Sequence, residues 1–146
     1  MKLIPIKQEL ADNQEFIHNP LCNESLQMTI DFYKRVGFVP PWICYYAELD
    51  GQLVGNAGIK GQPVNGKIEI AYGTMEQFRN TGIGTKICRA LIELSLKTNP
   101  TIKITARTLP ENNFSTKILK NNNFVWVGVV HDPEDGNVWE WVYREK

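Results

Sequence analysis

The sequence predicts an α/β domain built on a mixed β-sheet, and three observations support this prediction. Two hairpin signals, Asp50-Gly51 and Asn65-Gly66, divide an apolar stretch into a three-strand meander. A strand, a glycine-rich loop, a helix and another strand follow in that order, which favours a right-handed crossover in a parallel or mixed sheet. A strong turn at residues 132–136 joins the last two strands into a further hairpin.

The N-terminal half begins with a short strand and a helical region. Residues 12–18 suit one or two helical turns, and a longer helix with apolar residues at helical spacing follows up to residue 36. We expect Asn23 or Ser25 to be its N-cap and Gly37 to lie just past its end. The predicted strands of this half are residues 3–6, 42–49, 53–60 and 67–74.

The C-terminal half is organised around an amphipathic helix. This helix is predicted over residues 83–98, with its apolar stripe at Ile83, Ile87, Leu91 and Leu94. Residues 110–113 open a second helix, which residues 121–123 close, because asparagine tolerates the left-handed conformation at a helix end. The predicted strands of this half are residues 101–108, 124–130 and 138–143.

The loop between the predicted strand 67–74 and the helix 83–98 reads Arg79-Asn80-Thr81-Gly82-Ile83-Gly84-Thr85. The first turn of a helix carries unpaired N–H groups at the positive end of the helix dipole, which together form an anion site. Gly82 and Gly84 lack a Cβ, so a phosphate can approach the backbone closely. The dinucleotide fingerprint requires glycine where Ile87 stands, and the order of the P-loop is absent. The loop therefore predicts a diphosphate cradle of another kind.

The whole-chain composition narrows the function classes. The length suits one domain, residues 1–146. The 16 basic and 16 acidic residues cancel, so neither nucleic acid nor an anionic membrane is an expected partner. The N-terminus is too quickly polar for a signal peptide, and no apolar run reaches the ~20 residues of a membrane helix. Three scattered cysteines and two histidines favour neither disulfides nor a metal site, so we expect a cytoplasmic protein.

The glycine loop fits the pattern Arg/Gln-x-x-Gly-x-Gly/Ala at Arg79, Gly82 and Gly84, and it resembles the pyrophosphate loop of the GNAT N-acetyltransferase superfamily. The order of elements resembles this fold along the whole chain. Residues 69–85 and the ending 132–139 are similar to the branch that contains ribosomal-protein N-acetyltransferases, and Asn112-x-x-Ser115 resembles a segment of the family as a whole. The resemblance implies a mixed, mostly antiparallel, splayed sheet of six to seven strands flanked by about four helices.

The resemblance also implies acetyl-CoA as the donor, a primary amine as the acceptor and no metal. The backbone of the loop would hold the pyrophosphate. The backbone of the preceding strand would pair with the pantetheine arm like an added strand, which requires the sheet to splay after Thr74. A donor near Thr74 would polarise the thioester carbonyl. The residues expected to bind the cofactor are Tyr72, Gly73, Thr74, Arg79, Asn80, Thr81, Gly82, Ile83, Gly84, Thr85, Asn112 and Ser115.

Two residues are candidates for the proton transfers of a direct attack in a ternary complex. Glu69 is the candidate base, and its alternative role is that of a solvated or salt-bridged strand residue. Many family members place a tyrosine, as the general acid, where this chain has Leu119. Ser115 is the nearest substitute, and its alternative role is a hydrogen bond at the start of a helix.

Several alternatives stay open from the sequence alone. Within the same fold, the acceptor is a small molecule or a protein N-terminus, and the donor is acetyl-CoA or another acyl-CoA. A non-catalytic acyl-CoA-binding module would share the loop but release no thiol. A nucleotide-binding domain of unrelated chemistry would bind ATP or NAD instead. The terminal hairpin, if exposed, offers a surface for a homodimer.

Overall fold

Seven strands and four α-helices form the computed structural model over the residues that it describes, 1–144. Residues 145 and 146 of the predicted domain lie outside the described residues. The helices are α1 (Gln14–Ile17), α2 (Asn23–Val36), α3 (Ile83–Thr98) and α4 (Phe114–Asn121). The strands are β1 (Lys2–Pro5), β2 (Cys44–Leu49), β3 (Gln52–Ile59), β4 (Lys67–Thr74), β5 (Lys103–Thr108), β6 (Phe124–Asp132) and β7 (Gly136–Tyr143).

All seven strands belong to one sheet in the order β1-β2-β3-β4-β5-β7-β6. Neighbouring strands run antiparallel except β4 and β5, which run parallel. The parallel pair follows from the chain order, because α3 carries the chain from the end of β4 back to the start of β5. The predicted mixed, mostly antiparallel sheet with about four helices is confirmed.

The sheet splays between β4 and β5. The two strands are paired from Lys67 to Ile70 on β4, whereas β3 stays paired with β4 as far as Thr74. On the other side, β5 stays paired with β7 to its last residue, Thr108. Strand β4 therefore stays with β3, and strand β5 stays with β7. The gap between β4 and β5 opens after Ile70. The expected splay is present, but it begins earlier than Thr74.

The core lies between the sheet and its helices as one apolar cluster. On α3, Ile83, Ile87 and Leu91 of the predicted stripe are buried, and Leu94 is partly buried. Burying each such side chain stabilises the fold by roughly 1.5–3 kcal/mol relative to exposure. This packing fixes α3 against β3 and β4, and thereby fixes the loop from which α3 starts.

The turn predictions hold where the backbone demands a left-handed conformation. Both residues of Asp50-Gly51 and of Asn65-Gly66 have positive φ, as a two-residue hairpin turn requires. Asn123, which follows α4, has φ of 66°. Gly37 ends α2 with φ of 92°. Asparagine, aspartate and glycine supply these conformations at low cost.

Some boundaries differ from the prediction for local reasons. Strand β2 begins at Cys44 rather than at residue 42, because the Trp42 N–H donates to the Val39 carbonyl in a turn. Strand β5 begins two residues late, because the Ile102 N–H bonds back to Asn99. Neither Asn23 nor Ser25 caps α2, since a 3-10 turn runs directly into this helix.

Candidate active site

The loop before α3 presents free backbone donors. Asn80 and Gly82 have left-handed backbones, with φ of 64° and 83°, which turn the chain into the helix. No side chain caps this end of α3, and its first turn contains no acidic residue. The N–H groups of Ile83, Gly84 and Thr85 have no partner within the helix and lie at the positive end of its dipole. This geometry suits an anion.

The two glycines of the loop are required for different reasons. A Cβ on Gly82 would meet open space, so its positive φ is the constraint. Gly84 is buried, and a Cβ there would lie 2.6 Å from Ile118 Cδ1 and 3.1 Å from Thr74 Oγ1. Gly84 therefore allows α3 to pack closely against α4 and β4. The sequence had assigned both glycines to the approach of a phosphate.

Side chains fasten the loop to its neighbours. Arg79 Nε donates to the Thr74 carbonyl at 3.4 Å, and the Thr81 hydroxyl donates to the Phe78 carbonyl. Asn122 is buried and donates through Nδ2 to the carbonyl of Thr85 at 3.2 Å. This bond ties the end of α4 to the first turn of α3. Sequence reasoning treated Asn122 only as part of a helix end, since nothing local shows that the side chain turns inward.

The loop, the free edge of β4 and helix α4 enclose a cleft of about 710 Å³. Most predicted cofactor residues line it, while Asn112 lies along neighbouring grooves and Ile83 is buried in the core. Helix α4 adds lining residues that the sequence did not single out: Phe114, Lys117, Ile118 and Asn121. The predicted residues along the cleft are Tyr72, Gly73, Thr74, Arg79, Asn80, Gly82, Gly84, Thr85 and Ser115.

Backbone direction along β4 decides which groups face the splay. The Glu69 carbonyl accepts a hydrogen bond from the Lys60 N–H, and the Met75 N–H donates to the Val54 carbonyl. The backbone groups of residues 69 and 75 therefore point toward β3. Backbone groups alternate sides along a strand. The N–H and C=O of Tyr72 and Thr74 therefore point to the free edge, whereas those of Gly73 point to β3. Of the three residues predicted to pair with an added strand, Tyr72 and Thr74 therefore offer their backbone groups, and Gly73 does not.

The side chain of Tyr72 spans from β4 to α4. Its hydroxyl donates to the carbonyl of Ser115 at 3.2 Å. Burial raises the pKa of Tyr72 well above its ordinary value, and the neighbouring Cys88 adds to this shift. The helix-start hydrogen bonds of α4 are made by Asn113 and Thr116, which bond reciprocally. The Ser115 side chain is therefore not needed as a cap.

Position 119 offers no acid group to the cleft, because Leu119 is fully buried. Its side chain belongs to the apolar core under α4. A polar residue there would have to turn away from this core or lose its partners.

Glu69 lies in a cluster of charges on the opposite face of β4 from Tyr72. Its carboxylate is 2.8 Å from Lys60 Nζ and 3.7 Å from Arg107 Nε. Arg107 also contacts Asp132 at 3.1 Å and Glu140 at 3.5 Å. The Glu69 side chain is 21% exposed. Three carboxylates thus face two cations, which leaves the cluster with a net negative charge.

Two members of this cluster, Asp132 and Arg107, have shifted pKa values. Hydrogen bonds from the backbone N–H of Glu134, from Arg107 and from the Asp135 N–H lower the pKa of Asp132. Desolvation alone would lower the pKa of Arg107, but its bond to Asp132 and the charges of Glu69 and Glu140 raise it overall.

A smaller cleft of about 250 Å³ opens beside the charge cluster. Its lining includes Lys60, Arg107, Asp132 and Asp135. Ser115 lines this cleft as well as the larger one. The two clefts therefore meet at the first turn of α4, next to the splay.

The cysteines do not form a reactive or metal-binding group. Burial raises the pKa of Cys44 to about 11 and that of Cys88 to about 12, so both remain thiols at neutral pH. Within residues 1–144, no group of three or more His, Cys, Asp or Glu side chains is arranged to hold a metal.

The helices in the described part of the chain are all too short or too polar to span a bilayer.

Comparisons with known proteins agree with this geometry. Residues 2–125 match the family described as acetyltransferase (GNAT) domain. The uncharacterised N-acetyltransferase YjdG of Bacillus subtilis is 29% identical over 96 residues, which cover 65% of this chain and 54% of that protein.

Solved structures share the fold. The aminoglycoside acetyltransferase AAC(6')-Ib in complex with coenzyme A superposes with a TM-score of 0.61 at 26% identity, over 68% of this chain and 64% of that chain. The F149A mutant of the spermidine N-acetyltransferase SpeG from Vibrio cholerae gives 0.72 at 16% identity, over 98% and 94%. The chain spans about half the length of the curated relative that it matches.

Proposed function

The chain belongs to the GNAT acetyltransferase family, and from this premise we propose that it transfers an acetyl group from acetyl-CoA to a primary amine. The observation that carries the proposal is the continuity of the donor cleft. A free strand edge on β4 and the uncapped first turn of α3 line the same cleft. A diphosphate with an amide-bearing arm is complementary to both parts.

The donor would lie along this cleft with its pyrophosphate at the loop. The N–H groups of residues 83–85 supply hydrogen bonds to the phosphate oxygens, and the helix dipole favours their charge. Arg79 and Lys117 line the same cleft and add positive charge. The arm would pair with the backbone of Tyr72 and Thr74, which brings the thioester into the splay. The role predicted for Asn112 stays a prediction, since Asn112 lies outside the cleft lining.

The acceptor would enter from the smaller cleft on the other face. Its charge cluster is net negative, so it attracts an ammonium ion. A protonated amine is no nucleophile, and Glu69 is the carboxylate nearest the splay on this face. We assign Glu69 the role of base, acting directly or through water. Holding amine and thioester together can lower the barrier by about 7–11 kcal/mol.

The reaction needs no covalent enzyme intermediate. The amine nitrogen attacks the thioester carbon, the carbon–sulfur bond breaks, and the products are an amide and free CoA thiol. A free N–H of Tyr72 or Thr74 at the splayed edge would stabilise the oxyanion. The acceptor class, small molecule or protein N-terminus, is left to the experiment.

A thiol-release assay tests the proposal. The protein is given acetyl-CoA and a panel of primary amines that includes a polyamine, an aminoglycoside and short peptides, and free CoA is followed together with the acetylated product by mass spectrometry. We expect thiol release that depends on the amine, with a mass gain of one acetyl group on it. CoA binding without release from any amine would instead support the non-catalytic acyl-CoA-binding module. Propionyl-CoA and longer thioesters in the same assay test the alternative donor.

The outer edge of the sheet supports a homodimer as a secondary proposal. Strand β6 is an edge strand, and Val125, Trp126, Val127 and Val129 on it are exposed. An apolar edge of this kind is a ready partner for another strand. We also propose a cytoplasmic location, supported by the free cysteines Cys22, Cys44 and Cys88.

A further inference from the structure

The leaving group of the proposed reaction requires a proton. When the carbon–sulfur bond breaks, the electron pair remains on sulfur as a thiolate. A positioned proton donor stabilises such a charge and speeds the step by about 10²–10⁴-fold. This inference rests on the proposed function, and it asks which group of this chain supplies the proton.

The described residues along the donor cleft offer few acids. The lining hydroxyls belong to Tyr72, Thr74, Thr85 and Ser115. A phenol has an ordinary pKa of about 10, whereas aliphatic hydroxyls are far weaker acids. Arg79 is bonded to the Thr74 carbonyl beside the loop, and Lys117 is exposed. These two cations suit the phosphates better than the sulfur.

Tyr72 also has the right position. Its backbone faces the free edge of β4, and its side chain covers the same edge from the α4 side, because its hydroxyl reaches Ser115. Strand β4 leads from the splay to the loop, so an arm whose phosphates sit at the loop carries its thioester past Thr74 toward Tyr72. The Tyr72 hydroxyl can then exchange the Ser115 carbonyl for the sulfur as its acceptor.

We propose that Tyr72 is the general acid that protonates the departing CoA sulfur. As the carbon–sulfur bond breaks, the sulfur takes the phenolic proton and leaves as a thiol. The proton that the amine loses goes to Glu69 and then to solvent, and the phenolate is reprotonated from solvent. The step therefore requires no reactant other than the acetyl donor, the amine and solvent.

Burial is consistent with this role. It raises the pKa of Tyr72, so the phenol stays protonated throughout the neutral range and remains a donor. The same burial would raise the basicity of a thiolate beside it, so the two pKa shifts offset each other in the transfer.

The variant Tyr72→Phe removes the hydroxyl and keeps the ring. We expect kcat to fall about 10²-fold, while the affinity for CoA and the melting temperature stay close to those of the unmodified protein. Tyr143→Phe is the matched control, because Tyr143 is a half-buried phenol on β7 away from the donor cleft. Its kcat should be unchanged. Ser115→Ala should lose less activity than Tyr72→Phe.

A change of leaving group separates acid catalysis from a structural role. The acetyl selenoester of CoA releases a much less basic selenolate, which needs no proton. We expect this donor to restore most of the kcat that Tyr72→Phe loses with acetyl-CoA. Equal losses with both donors, or a Tyr72→Phe variant as active as the unmodified protein, would overturn the proposal. A protein without any thiol release would instead refute the proposed function itself.

Discussion

Glu69 is a salt-bridged strand residue for which we also propose a catalytic role. Its bonds to Lys60 and Arg107 are those of the salt-bridged strand residue that the sequence left as an alternative. The same bonds hold it against Lys60 and Arg107, which line the smaller cleft, on the face from which the acceptor would come. Partial exposure leaves it accessible to water and to an amine.

Replacing Glu69 with Gln separates the two roles. If Glu69 is the base, kcat falls about 10²-fold at low pH, where the amine is protonated, and recovers as rising pH deprotonates the amine. The pH–rate profile measures this. Glu140→Gln removes another carboxylate that faces Arg107 and serves as the control, with a much smaller effect. A Glu69→Gln profile parallel to that of the unmodified protein would assign Glu69 to structure alone.

Asp132 gives the hairpin a pH-dependent contribution to stability. Its pKa is lowered in the folded state by hydrogen bonds from the Glu134 N–H, Arg107 and the Asp135 N–H. The contribution is therefore present above the ordinary pKa of about 3.8 and is lost as pH falls through the folded value. Asp132→Asn should lower the midpoint of urea unfolding at pH 7 and leave it unchanged near pH 2. An equal loss at both pH values would contradict this account.

Residue roles that depend on distant contacts could not be predicted. The sequence singled out Tyr72 for its backbone alone. The hydrogen bond from its hydroxyl to the Ser115 carbonyl joins positions far apart in the chain, so no local pattern indicates it. The sequence assigned Gly84 to the approach of a phosphate, and the structure adds that a side chain there would meet Ile118. A local sequence pattern indicates that a position is constrained, whereas the packing in the folded chain determines which neighbours constrain it.

At the scale of elements, α3 also presents two cations beside the donor cleft. Its outer face contributes Lys86 and Arg89 to a cavity of about 520 Å³ that adjoins the donor cleft at Thr85 and Asn121. CoA carries a phosphate on the ribose 3′ position, beyond the pyrophosphate. If CoA binds with its pyrophosphate at the loop, as proposed, we expect these two cations to meet that phosphate, and charge-assisted hydrogen bonds of this kind contribute about 1.5–3 kcal/mol.

The double substitution Lys86→Ala and Arg89→Ala should therefore weaken CoA binding about tenfold or more. It should leave the affinity for dephospho-CoA, which lacks the 3′-phosphate, unchanged. Titration of each protein with both ligands gives the ratio of the two affinities directly. Lys97→Ala, near the far end of the same helix, controls for the loss of charge. An equal loss for the two ligands would mean that these cations act on the pyrophosphate or on the helix itself.

Elements with a strong local signal were predicted closely. Strand β4 and helix α3 match their predicted bounds, because hairpin residues, periodicity and a terminating Asn-Pro all agree. The position of the splay was not predictable in the same way. It depends on β4 following β3 while β5 follows β7, which is a property of pairing across the sheet.

At the scale of the whole molecule, one apolar cluster runs from Ile6 to Trp141 and supports the proposal of a single domain over residues 1–146. The two proposed substrates approach the sheet from opposite faces and meet only where β4 and β5 part. The splay is thus the place where the proposed donor and acceptor can come into contact. The resemblance of the sequence to the GNAT family was sufficient to predict that such an opening exists.

Calorimetric titration of CoA into three proteins tests the central claim most directly. The unmodified protein is compared with Gly82→Glu, which places a negative charge in the loop, and with Gly37→Glu. Both glycines have positive φ, at 83° and 92°, and open space around a Cβ, so each substitution adds the same charge at a strained backbone position without a clash. We expect CoA to bind the unmodified protein and Gly37→Glu alike, and Gly82→Glu not at all, with ATP and NAD giving no comparable heat. Undiminished CoA binding by folded Gly82→Glu would contradict the assignment of this loop as the pyrophosphate site.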